Sequence, residues 1–380
     1  MEKSTQPLLD PYKLGDLSLK NRVVMASMTR GRATNSGLVP TPLMVEYYAQ
    51  RASAGLLLSE GTWVSAKAIG FINVPGIYTD EQVEGWKLVT KAVHEKDGLI
   101  FLQLGHIGSA SHPDHLKGEL PAGPSAINPQ TQSFTPEGFK ASLTPRELTI
   151  AEIKQTVQDY KQAAQNAKNA GFDGVEVHAQ AGMLIPQFLS LATNKRTDEY
   201  GGSIENRARI IFEILDAITA VWDSTRVSIR FTPVMYSHVG LVTPDEETIP
   251  LFQYISGKLN DYNLAFLHVV GPSEDLTGTP VEALQSDYYS HFRHHYKGRL
   301  MANLGFNRET GNAILNNGKA DLVSFGKPFI ANPDLVERFI DQIPLSESDP
   351  DTYYSGEEKG YTDYPRAINI SHKVSSNQAG

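Results

Sequence analysis

Eight short apolar runs, each trailed by a longer stretch of helical periodicity, set the tightest limit on what this chain can become. They are Arg22–Ser27 (RVVMAS), Leu56–Gly61 (LLLSEG), Leu99–Leu104 (LIFLQL), Gly174–His178 (GVEVH), Val227–Pro233 (VSIRFTP), Leu264–Gly271 (LAFLHVVG), Arg299–Asn303 (RLMAN) and Asp321–Gly326 (DLVSFG). Runs of this kind, read as lacking polar alternation, suit strands covered on both faces of a parallel sheet. Between them, Ile150–Ala170 places Ile153, Val157, Tyr160, Ala164 and Ala167 on one helical face, and Gly171 is a natural C-cap. Ile204–Val221 repeats the pattern with Ile210, Ile214 and Ile218, and Thr79–Glu95 and Arg308–Asn317 are shorter versions. A doubly wound sheet can be written from the same order. Eight comparable strand–helix units favour closure instead, so the predicted fold is α/β, a (β/α)8 TIM barrel.

A barrel with insertions accounts for all 380 residues as one domain. Residues 105–149, after the third strand, hold six prolines, four of them within Pro113–Pro129. A loop of that length is expected to cap the catalytic mouth. After Ile343 the chain turns polar and rich in Tyr and Pro, and 344–380 is expected to wrap the outside as a tail.

Composition removes several functions. With 34 basic against 43 acidic residues the net charge is −9, which argues against a nucleic-acid or anionic-membrane partner. The absence of cysteine excludes disulfides, thiolate metal sites, cysteine nucleophiles and Cys-ligated iron–sulfur clusters. The opening residues lack an apolar core of the kind a secretion signal needs, and no run of 18 apolar residues occurs. The expectation is a cytoplasmic protein, monomer or homodimer, acting on a small molecule without a bound metal.

In a barrel the C-terminal strand ends carry the site. Here they supply Ser27-Met28-Thr29, Glu60-Gly61-Thr62, Gln103 with His106 beyond it, His178, Arg230 with Thr232, Asn303-Leu304-Gly305 and Gly326-Lys327. Gly305 and Gly326 expose backbone N–H groups where barrels hold a phosphate, and Lys327 adds positive charge; tight turns would explain the glycines equally. Arg230 ends a buried apolar strand and needs an anionic partner, either an anionic cofactor or Glu60 or Glu176. Gln103 would be costly to bury unpaired, and a cofactor amide edge or a backbone group could pair with it. His178 alone is as consistent with a satisfied core histidine. No P-loop, His-Glu-x-x-His, Gly-x-Ser-x-Gly or strand-following Gly-x-Gly-x-x-Gly pattern is present.

At these residues the chain resembles the old yellow enzyme family of FMN-dependent ene-reductases. The stretches that carry the resemblance are NRVVMASMTRGRA (21–33), YYAQRASAGLLLSEGT (47–62), PGIYTDEQVEGWKLVTKAVHEKDGLIFLQLGHIG (75–108), LTPRELT (143–149), AGFDGVEVH (170–178), NKRTDEYGGSIENRAR (194–209), FGKPFIANPDLVER (325–338) and GYTDYP (360–365). Together they reach from about Leu9 to Pro365. The resemblance implies non-covalent FMN at the barrel mouth and NAD(P)H as reductant. Thr29 would tune the flavin C4 carbonyl, Gln103 would meet the pyrimidine edge, and Arg230 would stand by N1 and O2. Ala26 and Gly61 would line the ring, and Gly305, Gly326 and Lys327 would hold the phosphate, where the family often has Arg for Lys327. Threonine at 29 resembles the classical branch.

The departures concern substrate. The family motif His-x-x-Asn/His-Gly-Tyr stands here as His178-Ala179-Gln180-Ala181-Gly182-Met183. One carbonyl donor survives, the second is Ala181, and the usual proton-donating tyrosine is Met183, whose thioether has no proton to give. Water, Tyr361 or Gln180 is expected to substitute. Gly105 stands where the family often has a bulky residue and is expected to enlarge the pocket. The implied activity is passage of hydride from reduced FMN to an activated C=C bond of an α,β-unsaturated carbonyl. The alternative is an isomerase or a desaturating oxidase.

Overall fold

The computed structural model describes residues 5–180, 182–234 and 243–367. All eight apolar runs are parallel strands of one closed barrel: β1 (Val23–Met25), β2 (Leu56–Trp63), β3 (Ile100–Gly105), β4 (Gly174–Ala179), β5 (Val227–Phe231), β6 (Phe266–Val270), β7 (Leu300–Asn303) and β8 (Leu322–Phe325). The helices that return the chain are α1 (Pro42–Gln50), α2 (Asp80–His94), α3 (Ile150–Asn169), α4 (Ile204–Thr219), α5 (Thr248–Lys258), α6 (Tyr288–His295) and α7 (Arg308–Asn316), with two shorter ones, Lys327–Ala331 and Leu335–Asp341, after β8. Capping boxes at Thr79/Gln82 and Thr149/Glu152 fix where α2 and α3 start, because each pair satisfies backbone N–H groups that have no partner within the helix. No helix among the described residues is long and apolar enough to cross a membrane.

The barrel lumen is divided by polarity. Its lower part is filled by Val24, Leu56, Leu58, Phe101, Phe266, Met301 and Leu322, and the hairpin Tyr12–Leu14/Leu17–Leu19 closes it with Leu14, Leu17 and Leu19. Towards the C-terminal ends the inward positions turn polar while their neighbours stay apolar: Glu176 and His178 on β4, Ser228 and Arg230 on β5, His268 on β6, Asn303 on β7 and Ser324 on β8. The strands therefore do alternate over their last residues. One irregularity matters: between Leu58 and Gly61 β2 carries one more residue than β3, a β-bulge, after which Gly61 pairs with Gln103.

Two segments gather around the C-terminal end. The insertion after β3 forms a hairpin, Gln132–Thr135 with Gly138–Ala141, whose Phe134 ring meets Phe71 at 5.1 Å. The stretch 345–367 is strapped to the barrel by buried arginines that donate to its carbonyls. Arg30 reaches Tyr353 O (3.0 Å) and Gly360 O (2.8 Å), Arg32 reaches Thr352 O (2.9 Å), and Arg51 reaches Tyr361 O (3.3 Å) besides Phe329 O and Ile330 O. Residues 368–380 of the expected tail lie outside the described residues. Arg51→Met keeps the apolar stem but leaves buried carbonyls without donors. It is expected to cost about 2–4 kcal/mol in chemical denaturation and to speed proteolysis within 345–367.

Candidate functional site

A cavity of about 760 Å³ opens at the C-terminal end of the barrel, over β1, β7 and β8. Its walls include Ala26, Ser27, Met28, Thr29, Arg30, Arg230, Asn303, Gly305, Gly326 and Lys327, together with Tyr353 and Tyr354 from the strap. Six predicted site residues thus share one space: Ala26, Thr29, Arg230, Gly305, Gly326 and Lys327. Leu304 and Gly305 both take positive φ, +88° and +74°. That is unfavourable for the leucine and is the kind of local strain that collects where a chain must present its backbone to a ligand.

Gln103, Gly61, His178, Gly105 and Met183 are not among the residues that line this cavity; they form a second group, linked to its wall through the Ser27–Gln103 hydrogen bond and the His178–Arg230 strand pair. Gly61 pairs with Gln103 on the neighbouring strand, and a Cβ on Gly61 would stand 3.4 Å from both the Gln103 amide and the His178 ring. His178 pairs with Arg230 across β4 and β5. Ala181 lies outside the described residues.

Arg230 is buried and donates to Ser27 O and to Asn303 Oδ1, each at 3.0 Å, while its Nε–H has no partner among the described residues. Neither candidate carboxylate bonds it directly. Glu176 faces it through the lumen and interacts with it electrostatically, whereas Glu60 belongs to another cluster. Gln103 is clamped by side chains, not by backbone: its Oε1 accepts from Ser27 Oγ (2.6 Å) and its Nε2 donates to Glu176 Oε1 (2.8 Å), leaving one amide N–H free. Glu176 Oε2 in turn meets His268 Nδ1 (2.8 Å), and His268 Nε2 meets Ser324 Oγ (2.8 Å). His268 was not anticipated. Its signal was present, a single polar residue in the run LAFLHVVG, at the position that pairs with Arg230.

Burial, with the Arg230 guanidinium adding to it, pushes His178 down to about 3, so its imidazole is neutral and can donate one hydrogen bond without carrying charge. Its Nδ1 has no partner among the described residues.

Two substrate-pocket expectations need correction. Tyr361 does not line the cavity. It is fully buried, stacks on Tyr47 with centroids 4.1 Å apart, and lies under Arg30 and Arg32. Tyr354, earlier on the same strap, reaches the cavity instead, with its ring 5.5 Å from Phe71. Nor does Gly105 leave open space. A Cβ there would stand 2.9 Å from Met183 Cε, so the methionine already occupies the volume that a larger residue at 105 would take. Gln180 is also engaged, donating to Thr232 Oγ1 at 3.0 Å. A separate groove of about 730 Å³ outside the barrel contains His106 but none of the predicted site residues.

Groups at the barrel mouth fit FMN: a guanidinium N–H on Arg230 and an amide N–H on Gln103 that have no partner among the described residues, and a cavity of about 760 Å³ whose walls include Gly305, Gly326 and Lys327. The relatives of this chain define the class, a flavin-dependent oxidoreductase served by a nicotinamide. The family model described as the NADH:flavin oxidoreductase / NADH oxidase family matches residues 7–346. The 12-oxophytodienoate reductase 1 of Oryza sativa subsp. japonica is 40% identical over 365 residues, covering 94% of this chain and 93% of that protein. The 12-oxophytodienoate reductase 2 of Arabidopsis thaliana is 40% identical over 372 residues, covering 96% of each. The solved structure of morphinone reductase is 44% identical, with a TM-score of 0.89 and coverage of 97% and 98%. The old yellow enzyme homologue from Zymomonas mobilis is 40% identical, with a TM-score of 0.88 and coverage of 94% and 99%. The chain belongs to the NADH:flavin oxidoreductase / NADH oxidase family, that of the old yellow enzymes, and is an FMN-dependent NAD(P)H oxidoreductase.

Behind the cavity, Glu60 Oε2 accepts from the N–H groups of Arg30 (3.2 Å) and Gly31 (3.1 Å), just after Thr29, while Oε1 is buried without a partner. Burial lifts this carboxyl to about 7 against those N–H groups and the nearby arginines. A raised folded pKa means that the folded state holds the proton more tightly, so the contribution is full below about pH 4.5 and is lost as pH rises through 7. Glu60→Gln is expected to remove that slope. Between pH 5 and 8 its stability in urea should gain about 3 kcal/mol on the parent protein.

Proposed function

We propose that the protein reduces the activated C=C bond of α,β-unsaturated carbonyl compounds in two half-reactions. The observation that carries this reading is the pairing of His178 with Arg230 at the cavity: a neutral hydrogen-bond donor beside a fixed positive charge with an uncommitted N–H. Bound FMN would supply the redox chemistry, as the hydride carrier between a nicotinamide and the electrophilic alkene carbon.

Each residue then has a defined task. Gly305, Gly326 and Lys327 would hold the phosphate, Ala26 and Gly61 would line the ring, and Thr29 and Gln103 would hydrogen-bond its polar edge. Arg230 stabilises negative charge gained on reduction, a role that suits a group unable to lose its proton. His178 donates to the substrate carbonyl oxygen, where charge develops as hydride arrives. One donor in place of two weakens that stabilisation by about 3–4 kcal/mol. The morphinone reductase structure in complex with tetrahydroNAD, 45% identical, supports a nicotinamide partner.

Met183 favours a second reading. With no proton donor at that position, hydride could be removed and returned within one substrate, or passed to oxygen, giving an isomerase or a desaturating oxidase. Tyr354 at the cavity, or water, supplies the proton in the first reading.

Anaerobic reduction with NADPH or NADH followed by mixing with an enone panel tests this. Bleaching of the flavin absorbance and its recovery with an enone are expected. A rearranged product without nicotinamide consumption, or recovery with oxygen alone, would favour the second reading. Met183→Tyr places a phenol there and is expected to accelerate recovery with an enone by about 10²-fold or more, in line with the usual ~10²–10⁴ value of a general acid, while flavin reduction changes little. Stopped-flow absorbance separates the two phases.

A further inference from the structure

From Gln103, one of the residues assigned to FMN, a buried hydrogen-bonded chain leads to groups that the proposed reaction does not use: Ser27–Gln103–Glu176–His268–Ser324, joined by hydrogen bonds of 2.6 to 2.8 Å. Glu176 and His268 are both fully buried. Gln103 and Glu176 are register partners on the neighbouring strands β3 and β4, whereas His268 and Ser324 reach the carboxylate from β6 and β8; Arg230, on the strand between Glu176 and His268, pairs with His268. Arg230 donates its direct hydrogen bonds to Ser27 O and Asn303 Oδ1, neither of them charged. Its charge must be balanced somewhere in a lumen that is otherwise apolar below, and the facing carboxylate is that of Glu176.

We propose that Glu176 is an internal counter-charge of the cofactor site, a positioning residue that orients Gln103 and offsets Arg230 so as to limit how strongly the site favours reduced FMN. The proposal rests on the FMN reading above. Two observations bear on the charge of the pair. The His268 imidazole, a hydrogen-bond partner, and the Arg230 guanidinium hold Glu176 below the ordinary carboxyl value despite its burial. Burial and the same guanidinium hold His268 below the ordinary imidazole value. The arrangement is therefore a carboxylate receiving Nδ1–H from a neutral imidazole whose Nε2 accepts from Ser324. One negative charge stands below one positive charge, with Gln103 linking the carboxylate to the mouth.

A merely structural pin would behave differently. Breaking a pin changes stability or FMN affinity; removing a counter-charge moves the reduction potential. The test is a spectroelectrochemical titration of the purified holoprotein against a reference dye, with FMN dissociation followed in parallel by flavin fluorescence. Glu176→Gln, which keeps the shape, keeps one acceptor and can donate to His268 Nδ1 once the neutral imidazole takes its other tautomer, is expected to shift the oxidised–reduced equilibrium tenfold to a hundredfold towards reduced flavin, or about 30–60 mV upward for a two-electron couple. Glu176→Asp, which keeps the charge, should stay within threefold of the parent. An unmoved potential in a Glu176→Gln protein that still binds FMN would overturn the proposal. Should Glu176→Gln not fold, His268→Gln decides: its amide still donates to the carboxylate, so a potential within threefold of the parent supports the assignment. A tenfold or larger shift towards oxidised flavin would mean that His268 carried a positive charge and that the pair was neutral, which also overturns it. A parent protein that binds no FMN would remove the functional reading and this proposal together, whereas coloured protein with an unmoved potential removes the proposal alone.

Discussion

A guanidinium that cannot shed its charge sits at the top of a closed barrel, and the mouth is organised around it. Burying Arg230 is costly unless its charge and its donors are met. Ser27 O and Asn303 Oδ1 meet two of the donors, Glu176 meets the charge across the lumen, and Nε is left for a ligand. The same requirement explains why inward positions turn polar only near the strand ends. Polar groups at that level can satisfy one another, whereas below it the lumen is packed with Phe101, Phe266, Met301 and their neighbours.

The wall beyond the mouth is held by a different device. Arg30, Arg32 and Arg51 point away from the lumen and bind main-chain carbonyls of the strap. Guanidinium groups suit this, because each presents several donors in a fixed fork and can serve carbonyls that no regular element would satisfy. The consequence reaches the site, since Tyr353 and Tyr354 reach the cavity only because the strap that carries them is fastened on either side, at Thr352 and at Gly360. Phe71 closes the arrangement by contacting both Tyr354 and the insertion's Phe134.

Most of the barrel was legible because strands buried on their outer faces are apolar in any environment, and the eight runs became the eight strands. That Ala26, Thr29, Arg230, Gly305, Gly326 and Lys327 would share one space was legible for the same reason, since a closed parallel barrel gathers the C-terminal ends of its strands. What escaped depends on contacts between distant segments. Tyr361 and Tyr354 stand seven positions apart on one irregular strap, and only the arginines that clamp it decide which of them faces inward. The filling of the Gly105 space by Met183 is likewise a three-dimensional event, since a missing side chain reads as a void until another element is seen to enter it. His268 was less legible because it is the one polar member of an apolar run and its partners, Glu176 and Ser324, lie on other strands.

The extra residue in β2 acts as a sorter. Leu56 and Leu58 face the lumen, and continued pleating would turn Glu60 inward after them and Gly61 outward. The bulge reverses that phase: Gly61 comes to the mouth beside Gln103, and the Glu60 carboxyl is delivered to the backbone of Arg30 and Gly31 behind the wall. Had the strand stayed in step, the lumen would hold two carboxyl groups against one guanidinium, and the positive field at the mouth would be cancelled from below. A single inserted position thus separates two acids by function, one kept under the cofactor site and one assigned to the masonry around it.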